Sequence, residues 1–184
     1  MLQIRPFTRE DIPLFVSWIE SPEFLMQTAG PLLHFDSLDA DMGALVDHAA
    51  LPGTDTYLFS VTRKTEDGPE CIGTFHILQV NRHHRSATLS RVLLAKNVRG
   101  SGYGSMMIRE ALRIAFEELK LHRLSLAVFD FNIPAYSCYV RAGFVREGVQ
   151  RDIIRNGSEY WSTVSMSILE HEYRAKHGTS RVAI

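Results

Sequence analysis

The sequence predicts a mixed α/β fold, of the α+β kind, in which a central and mostly antiparallel sheet is flanked by about four helices. Two observations indicate the antiparallel part: apolar and polar residues alternate in short segments, and Asp-Gly or Asn-Gly turns separate several of them. A third is the amphipathic segment 101–120, which lies between two strands and so requires a parallel crossover. We expect residues 1–170 to form one domain and residues 171–184 a polar C-terminal tail.

The N-terminal third is predicted to contain one strand and two helices. Residues 2–5 alternate as a short strand does. Thr8 stands three residues before Asp11, a near capping box, and apolar residues at helical spacing follow it. We expect a Ser-Pro pair to end this helix, residues 22–37 to be irregular, and a second helix to cover 38–48.

The middle of the chain is predicted to hold three strands and the long helix. Residues 56–63 and 71–80 form a hairpin across a polar Asp-Gly loop. The third strand, 86–95, leads through a glycine-rich turn into the helix at 101–120, whose apolar residues lie on one stripe.

The C-terminal third adds three strands and one helix. A buried strand is expected at 123–129, and a short helix at 134–142 ends at a glycine. Two final strands, 144–154 and 159–169, flank the turn at Asn156-Gly157.

Composition excludes several classes of protein. The chain has 20 basic and 21 acidic residues, so its net charge of -1 gives no general attraction to nucleic acid or to anionic membranes. Two cysteines are too few for a disulfide framework, and no C-x-x-C pair indicates a metal site. Neither a signal peptide nor a run of 18 apolar residues is present. We therefore expect a cytoplasmic protein with no metal, no nucleic-acid partner and no membrane partner.

The most informative segment is the glycine-rich turn from Asn97 to Ser105. The N–H groups at the start of a helix, together with the helix dipole, favour an anion, and glycines let the backbone approach it. Arg99 adds a positive charge. The segment does not fit a dinucleotide-binding fingerprint, because Ser105 stands where glycine or alanine is needed. It also lacks the Gly-Lys-Ser/Thr of a P-loop. Packing alone also produces such glycines, so a phosphate site and a purely structural turn both remain open here.

Two motifs in this order resemble one family. The run Arg99-Gly100-Ser101-Gly102-Tyr103-Gly104 resembles the R-x-x-G-x-G/A acyl-CoA signature of the GNAT superfamily of N-acetyltransferases. Downstream, a second set of residues is similar to that family's N-x-x-A-x-x-x-Y-x-x-x-G-F pattern: Asn132, Ala135, Tyr139, Gly143 and Phe144. A Glu-Gly-x-x-Arg segment at 147–151, followed by Asn156-Gly157, resembles the branch of ribosomal-protein-alanine and small-amine acetyltransferases.

The resemblance implies a fold, a donor and a set of cofactor-binding residues. It implies a sheet that splays between strands 86–95 and 123–129, with acetyl-CoA as co-substrate in the gap. The pantetheine amides would pair with backbone groups of the strand, and one N–H there would stabilise the tetrahedral oxyanion. The implied cofactor-binding residues are Val92, Leu93, Leu94, Arg99, Gly100, Ser101, Gly102, Tyr103, Gly104, Ser105 and Asn132. Asn132 is equally a good helix cap.

The resemblance also implies one catalytic side chain. It makes Tyr139 the general acid that protonates the departing thiolate, whereas an aromatic residue at helical spacing is ordinarily part of a core. The general base stays open, because the strand that often carries a carboxylate in this family has none here. Ser90 acting through water, His76 and Glu23 are the alternatives, and water alone suffices for an α-amine with pKa near ~8.

The resemblance thus implies an N-acetyltransferase that moves an acetyl group from acetyl-CoA to a primary amine by direct attack in a ternary complex. The acceptor is a small molecule or a peptide, and its pocket is expected between Trp18 and Phe35, with Trp18, Phe24, Phe35 and Trp161 as the candidate lining aromatics. The oligomeric state stays open, with a homodimer as one option. Two alternatives stay open: a non-catalytic acyl-CoA-binding or regulatory module, and a transferase of a larger acyl group such as succinyl.

Overall fold

Seven strands and six helices make up residues 2–178, which a computed structural model describes. The strands are β1 (Leu2–Pro6), β2 (Tyr57–Thr65), β3 (Gly68–Asn81), β4 (Ser86–Leu94), β5 (Arg123–Phe129), β6 (Val145–Asn156) and β7 (Glu159–Leu169). The helices are α1 (Ile12–Ser17), α2 (Pro22–Ala29), α3 (Leu38–Ala49), α4 (Tyr103–Arg113), α5 (Ile133–Ala142) and α6 (Glu170–His177). A π-helical segment, Ile114–Glu118, extends α4.

The strands form one sheet in the order β1-β2-β3-β4-β5-β7-β6. The pairs β1–β2, β2–β3, β5–β7 and β6–β7 are antiparallel, and β4–β5 is parallel. The register between β4 and β5 covers three residue pairs, from Ser86↔Arg123 to Thr88↔Ser125, although both strands continue for several residues beyond them. The predicted mixed and mostly antiparallel sheet is confirmed.

The described residues divide into two compact units. The first contains residues 2–79 and 89–107, and the second contains residues 80–88 and 108–178. The first unit is built around an apolar cluster in which Phe7, which directly follows β1, Leu58 of β2 and Leu93 of β4 pack with side chains of α1–α3. Burial of this cluster stabilises the unit, because apolar area removed from water contributes about 25 cal/mol per Å².

The second unit has its own apolar interior. On α4 and its π-helical extension, Ile108, Ala111, Leu112 and Ala115 are buried at helical spacing. Together with Leu124, Met166 and Ile168 of β5 and β7, they give this unit its interior, since alternate residues of each strand share one face. The predicted apolar stripe of the long helix is therefore the buried one.

Two helices were not predicted from the sequence, so the number flanking the sheet is six rather than about four. The helix α2 occupies part of the stretch expected to be irregular. The Ser21 hydroxyl accepts a hydrogen bond from the Phe24 N–H at 3.2 Å, and Pro22 occupies the first helical position. The Ser-Pro pair therefore begins a helix, because proline lacks only the N–H that the first turn does not use.

The second unpredicted helix, α6, lies where a polar tail is expected. Tyr173 of this helix is buried, and its hydroxyl donates a hydrogen bond to the Glu117 carboxylate at 2.7 Å. The apolar ring and the hydroxyl of this one residue therefore hold an otherwise polar helix in place. Residues 179–184 of the predicted tail lie outside the described residues, and the division at residue 170 stays a prediction.

No helix within residues 2–178 is long and apolar enough to cross a membrane.

Candidate active site

The end of β4 carries the predicted backbone positions Val92, Leu93 and Leu94. Leu93 is buried in the apolar cluster of the first unit, and its two neighbours are half-buried. Arg91 has a φ of 49°, a left-handed conformation that non-glycine residues rarely adopt within a strand. The strand is therefore irregular one residue before the three positions whose backbone the resemblance assigns to the cofactor.

The glycine-rich turn follows directly on β4. A short 3-10 turn, Lys96–Val98, leads into it, and α4 begins at Tyr103. Gly100 and Gly102 have φ values of 78° and 84°, which side chains with a Cβ rarely adopt. Apart from the glycine itself and its two chain neighbours, no atom of residues 2–178 lies within 4 Å of the place where a Cβ would stand on either glycine. These glycines are thus required by the backbone conformation, and the space beside them is open to a ligand that approaches the start of a helix.

Arg99 is held at the entrance of this turn by two contacts. Its Nε donates a hydrogen bond to the carbonyl oxygen of Leu94 at 2.9 Å, and its guanidinium lies 5.0 Å from the centre of the Phe24 ring. A guanidinium fixed on an aromatic face loses less conformational freedom when it binds a phosphate. Phe24 of α2, which the sequence indicates only as a candidate aromatic of the acceptor pocket, therefore positions Arg99, the side chain predicted to bind a phosphate.

The remaining predicted turn residues differ in how they are engaged. The Tyr103 hydroxyl accepts a hydrogen bond from Arg63 at 3.4 Å, and Arg63 also contacts the Glu70 carboxylate at 2.7 Å, so this ring is tied to β2 and β3. Ser101 is exposed in the turn. Gly104 and Ser105 lie in the first turn of α4.

Asn132 and Tyr139 lie on α5 in the second unit. The Asn132 side-chain oxygen accepts a hydrogen bond from the Ala135 N–H at 3.3 Å, so this residue caps the helix. Its Nδ2 group makes no hydrogen bond to the residues that the structure describes. Capping thus uses the acceptor of this side chain and leaves its donors for a ligand.

The Tyr139 ring is buried and packs edge-on against Phe144, with 5.7 Å between ring centres. Burial, with a smaller contribution from the nearby Cys138, raises the pKa of the hydroxyl well above its usual value near 10. Within residues 2–178 this hydroxyl has no hydrogen-bonding partner. It is therefore protonated at neutral pH and has a donor to offer.

The three alternative bases have different surroundings. Burial and, to a smaller extent, the charge of Arg91 lower the pKa of His76 well below its usual value, so the imidazole is neutral and weakly basic. Glu23 is exposed at the start of α2, where hydrogen bonds from its own backbone N–H and from Ser21 lower the pKa of its carboxyl. Ser90 is half-buried on β4. No strong base emerges among them.

The predicted acceptor aromatics are divided between the two units. Trp18 and Phe24 pack against the apolar cluster of the first unit, and Phe35 is exposed. Trp161 lies in the second unit, where its ring packs edge-on against Phe129 and Phe131 at 5.2 and 5.1 Å. Among residues 2–178 no three potential metal ligands come together.

Comparison with known proteins decides the family. Residues 1–145 match the model of the acetyltransferase (GNAT) domain. The chain belongs to the GNAT acetyltransferase family. The recognition of this family from the two motifs is confirmed.

The relatives within the GNAT family include enzymes named for polyamines. A spermidine N(1)-acetyltransferase of Vibrio cholerae is 33% identical over 103 residues, 55% of this chain and 58% of the relative. A Bacillus subtilis protein named as a candidate ribosomal N-acetyltransferase is 27% identical over 110 residues, 60% and 59% of the two chains. The chain spans about half the length of the curated relatives it matches. Relatives named for a small amine and for the ribosome thus both occur, as expected for the predicted branch.

A solved GNAT structure covers nearly the whole chain. The spermidine N-acetyltransferase of V. cholerae, crystallised with CoA and spermine, matches with a TM-score of 0.78 and 25% identity over 94% of this chain and 97% of the other. The predicted fold class is thereby confirmed.

Sequence reasoning missed one polar residue in the GNAT motif strand. Ala87, Leu89 and Leu93 are the buried members of an alternating pattern on β4, and Arg91 occupies the same buried register. A charge in a position that alternation assigns to the interior is a signal that the sequence already carries.

Proposed function

We propose that this protein is an acetyl-CoA-dependent N-acetyltransferase that transfers an acetyl group to a primary amine by direct attack in a ternary complex. The observation that carries the proposal is the open glycine turn between β4 and α4, in a chain of the GNAT family. Its two left-handed glycines have free space beside them, and Arg99 is fixed at its entrance.

The phosphates of the donor fit this turn. The N–H groups of residues 100–105 and the dipole of α4 favour a pyrophosphate, and the Arg99 guanidinium adds a charge-assisted contact. Acetyl-CoA supplies the activated thioester. Backbone groups of Val92, Leu93 and Leu94 are proposed to bind the pantetheine amides and to stabilise the oxyanion. Asn132 is proposed to donate to the pantetheine through Nδ2, since its oxygen caps α5.

The chemistry is a nucleophilic acyl substitution. The amine nitrogen forms a bond to the carbonyl carbon, the carbon–sulfur bond breaks, the amine loses one proton and the thiolate gains one. We propose Tyr139 as the donor to the sulfur. Because burial raises the pKa of Tyr139 above that of a thiol, near ~8.5, full proton transfer is uphill, and hydrogen bonding to the developing thiolate is the larger part of its role.

The amine proton has no dedicated acceptor among the groups described. Glu23 and His76 have lowered pKa values, so each is a weak base. Loss of the proton to water, with Ser90 as a relay, therefore favours an acceptor whose amine has a pKa near ~8 rather than ~10.4. The acceptor is proposed to be a small molecule or a peptide. The predicted cytoplasmic location, the homodimer and the absence of metal, nucleic-acid and membrane partners stay predictions.

Two measurements test this proposal. Acetyl-CoA is expected to raise the melting temperature, whereas adenosine is not, because the pyrophosphate supplies the contact at the turn. A panel of amines, including amino acids, peptides and spermidine, is then assayed for release of free CoA. Failure of acetyl-CoA to bind would overturn the proposal. Binding without turnover of any amine would favour a regulatory acyl-CoA-binding module, and turnover with succinyl-CoA alone would favour a larger acyl donor.

A further inference from the structure

Arg91 is the feature of the first unit that the proposed chemistry does not use. Its side chain is only 4% exposed, and its Nε and Nη1 atoms have no hydrogen-bond partner. Burial lowers the pKa of this guanidinium, yet an arginine stays charged at any physiological pH. A buried charge without a partner is costly, so proteins retain one where a ligand supplies the partner.

The other arginines of the fold show what a structural arginine does here. Arg5 contacts the Asp11 carboxylate, Arg63 contacts Glu70, and Arg123 contacts Glu147, each at 2.7 Å or less. All three are more exposed than Arg91. Carboxylates thus form ion pairs with these three more exposed arginines. Within residues 2–178, no carboxylate forms an ion pair with Arg91.

His76 lies within the electrostatic influence of this guanidinium and makes no hydrogen bond to it. The ring is 0% exposed, neither nitrogen has a hydrogen-bond partner, and its edge contacts Phe7 with 6.2 Å between ring centres. The charge of Arg91 acts on this ring, which is neutral. A neutral imidazole offers one N–H donor without a second positive charge. Together the two side chains present donors and no negative charge.

The position of the pair within the unit indicates which reactant is bound. Arg91 immediately precedes Val92, the first of the backbone positions proposed to hold the acyl group. His76 is opposite Leu58, which packs in the apolar cluster together with residues of α1–α3. Arg91 thus adjoins the proposed acyl-binding backbone, and His76 lies opposite a residue of the apolar cluster to which α1–α3 contribute.

We propose that Arg91 binds a carboxylate in the transfer site, so that the acceptor is an amine that carries a carboxylate, such as an amino acid. This inference rests on the proposed acetyltransferase function and narrows its substrate class. A guanidinium recognises a carboxylate with two parallel hydrogen bonds and repels the ammonium groups of a polyamine. A carboxylate on the acyl group, as in succinyl-CoA, presents the same chemistry and is separated from the acceptor by experiment.

The test compares acids with their amides. Amino acids and the corresponding amino acid amides are assayed with acetyl-CoA, alongside spermidine, in the full chain, in Arg91→Met and in Arg91→Lys. At least one acid is expected to exceed its amide about tenfold in kcat/KM per unprotonated amine, the size of one charge-assisted contact; the rates are compared on this basis because the neighbouring carboxylate gives the acid the higher amine pKa. Arg91→Met is expected to bring that ratio close to one, and Arg91→Lys to restore part of it. Arg9→Met, an exposed arginine of the same unit, is the matched control and keeps the ratio.

Several outcomes would overturn the inference. These are equal rates for acids and amides in the wild type, an unchanged ratio in Arg91→Met, or a preference for spermidine over every acid. A second arm assays succinyl-CoA with the amides. An Arg91-dependent preference for that donor would assign the carboxylate to the acyl group, and the acceptor assignment would be wrong.

A measurement without turnover separates this inference from the proposed function. N-acetyl amino acids and N-acetyl amino acid amides are added to the CoA-bound protein, and the melting temperature is followed. The acids alone are expected to raise it, and only when Arg91 is present. No shift with any acid, while CoA itself binds, would overturn the carboxylate site and leave the acetyltransferase proposal standing. If Arg91 serves only the fold, Arg91→Met lowers the melting temperature of the free protein; we expect it unchanged or raised, because the variant removes an unpaired buried charge.

Discussion

Two polar groups in the first unit are buried to a similar extent and are treated differently by the fold. Asp11, at the start of α1, is 6% exposed and accepts hydrogen bonds from Arg5 at 2.7 Å, from the Thr8 N–H at 2.9 Å and from the Ser60 hydroxyl at 2.9 Å. Arg91 on β4 is 4% exposed and has two unpartnered nitrogens.

The difference shows which positions serve the fold and which await a ligand. Where a buried charge holds secondary structure together, the chain supplies every partner, as at Asp11, which ties β1, α1 and β2 to one another. Where a polar group lacks a partner among the described residues, as the Arg91 guanidinium and the Tyr139 hydroxyl do, we expect a reactant to supply that partner. The open turn at Gly100 and Gly102 is expected to receive a reactant in the same way. Substitutions at the first kind of position should cost stability, and at the second kind activity or binding.

The largest effect on stability is expected from Asp11→Ala. Removal of the carboxylate leaves the fully buried Ser60 hydroxyl and the Thr8 N–H without their acceptor and leaves Arg5 unpaired. We expect the free energy of unfolding, measured by urea denaturation, to fall by about 3 kcal/mol. Acetyl-CoA affinity should not change.

Asp47→Ala is the matched control. It breaks an ion pair with Arg9 at 2.6 Å in which both side chains are exposed, and such pairs contribute less than about 1 kcal/mol. Equal losses in the two variants would contradict the comparison.

Some features of the fold and of the candidate site are predictable from the sequence because they depend on residues close together in the chain. The seven strands are predicted by residue patterns and by the turns between them. The glycine-rich turn is predicted by its glycines and by the helix that follows it. All of these signals are local in the sequence. The strand at 123–129 has the bounds that alternation and burial predict. The helix α2 was not predicted, because a Ser-Pro pair is equally consistent with the end of one helix and with the N-cap and first residue of another. The hydrogen bond from the Phe24 N–H to the Ser21 hydroxyl shows that this pair begins a helix.

The polar partners are less predictable, because they join residues distant in sequence. Asp11 and Ser60 are 49 positions apart, and nothing local connects them. The same holds for Phe24 beneath Arg99 and for His76 beside Arg91. Even the buried register of Arg91, which alternation does indicate, becomes informative only when the structure shows that no carboxylate reaches it.

Two glycines of the first unit test the same division at the level of the backbone. Gly102 and Gly53 have φ values of 84° and 75°, and apart from chain neighbours no atom of the described residues lies within 4 Å of a Cβ position on either of them. Alanine at either position should cost about 1 kcal/mol of stability through backbone strain. Only Gly102→Ala is expected to weaken acetyl-CoA binding, by about tenfold. Titration calorimetry of both variants measures this, and an unchanged affinity in Gly102→Ala would remove the turn from the donor site.

Two buried tyrosines of the second unit provide the catalytic version of the comparison. The Tyr173 hydroxyl donates to Glu117 at 2.7 Å, whereas the Tyr139 hydroxyl has no partner among the described residues. Tyr139→Phe is expected to lower kcat about tenfold, with the affinity for acetyl-CoA unchanged, because a thiolate leaves tolerably well without help. Tyr173→Phe should lose about 1 kcal/mol of stability and keep its turnover. Unchanged kcat in Tyr139→Phe would exclude this residue from the reaction.

The smallest expected effect is the contribution of Asp11 to the pH dependence of the free energy of unfolding. Burial raises the pKa of its carboxyl, but the hydrogen bonds from Arg5, Thr8 and Ser60 together outweigh burial, so the pKa in the folded protein is lowered. A carboxyl whose pKa is lower when folded contributes stability that is fully present above its unfolded pKa, about 3.9, and is lost as the pH falls through the folded value. Wild-type protein should therefore lose more stability than Asp11→Asn between pH 5 and pH 2, as measured by urea denaturation across that range. Parallel acid limbs for the two proteins would mean that the hydrogen bonds to Asp11 do not favour its charged form, and the contrast with Arg91 would then rest on geometry alone.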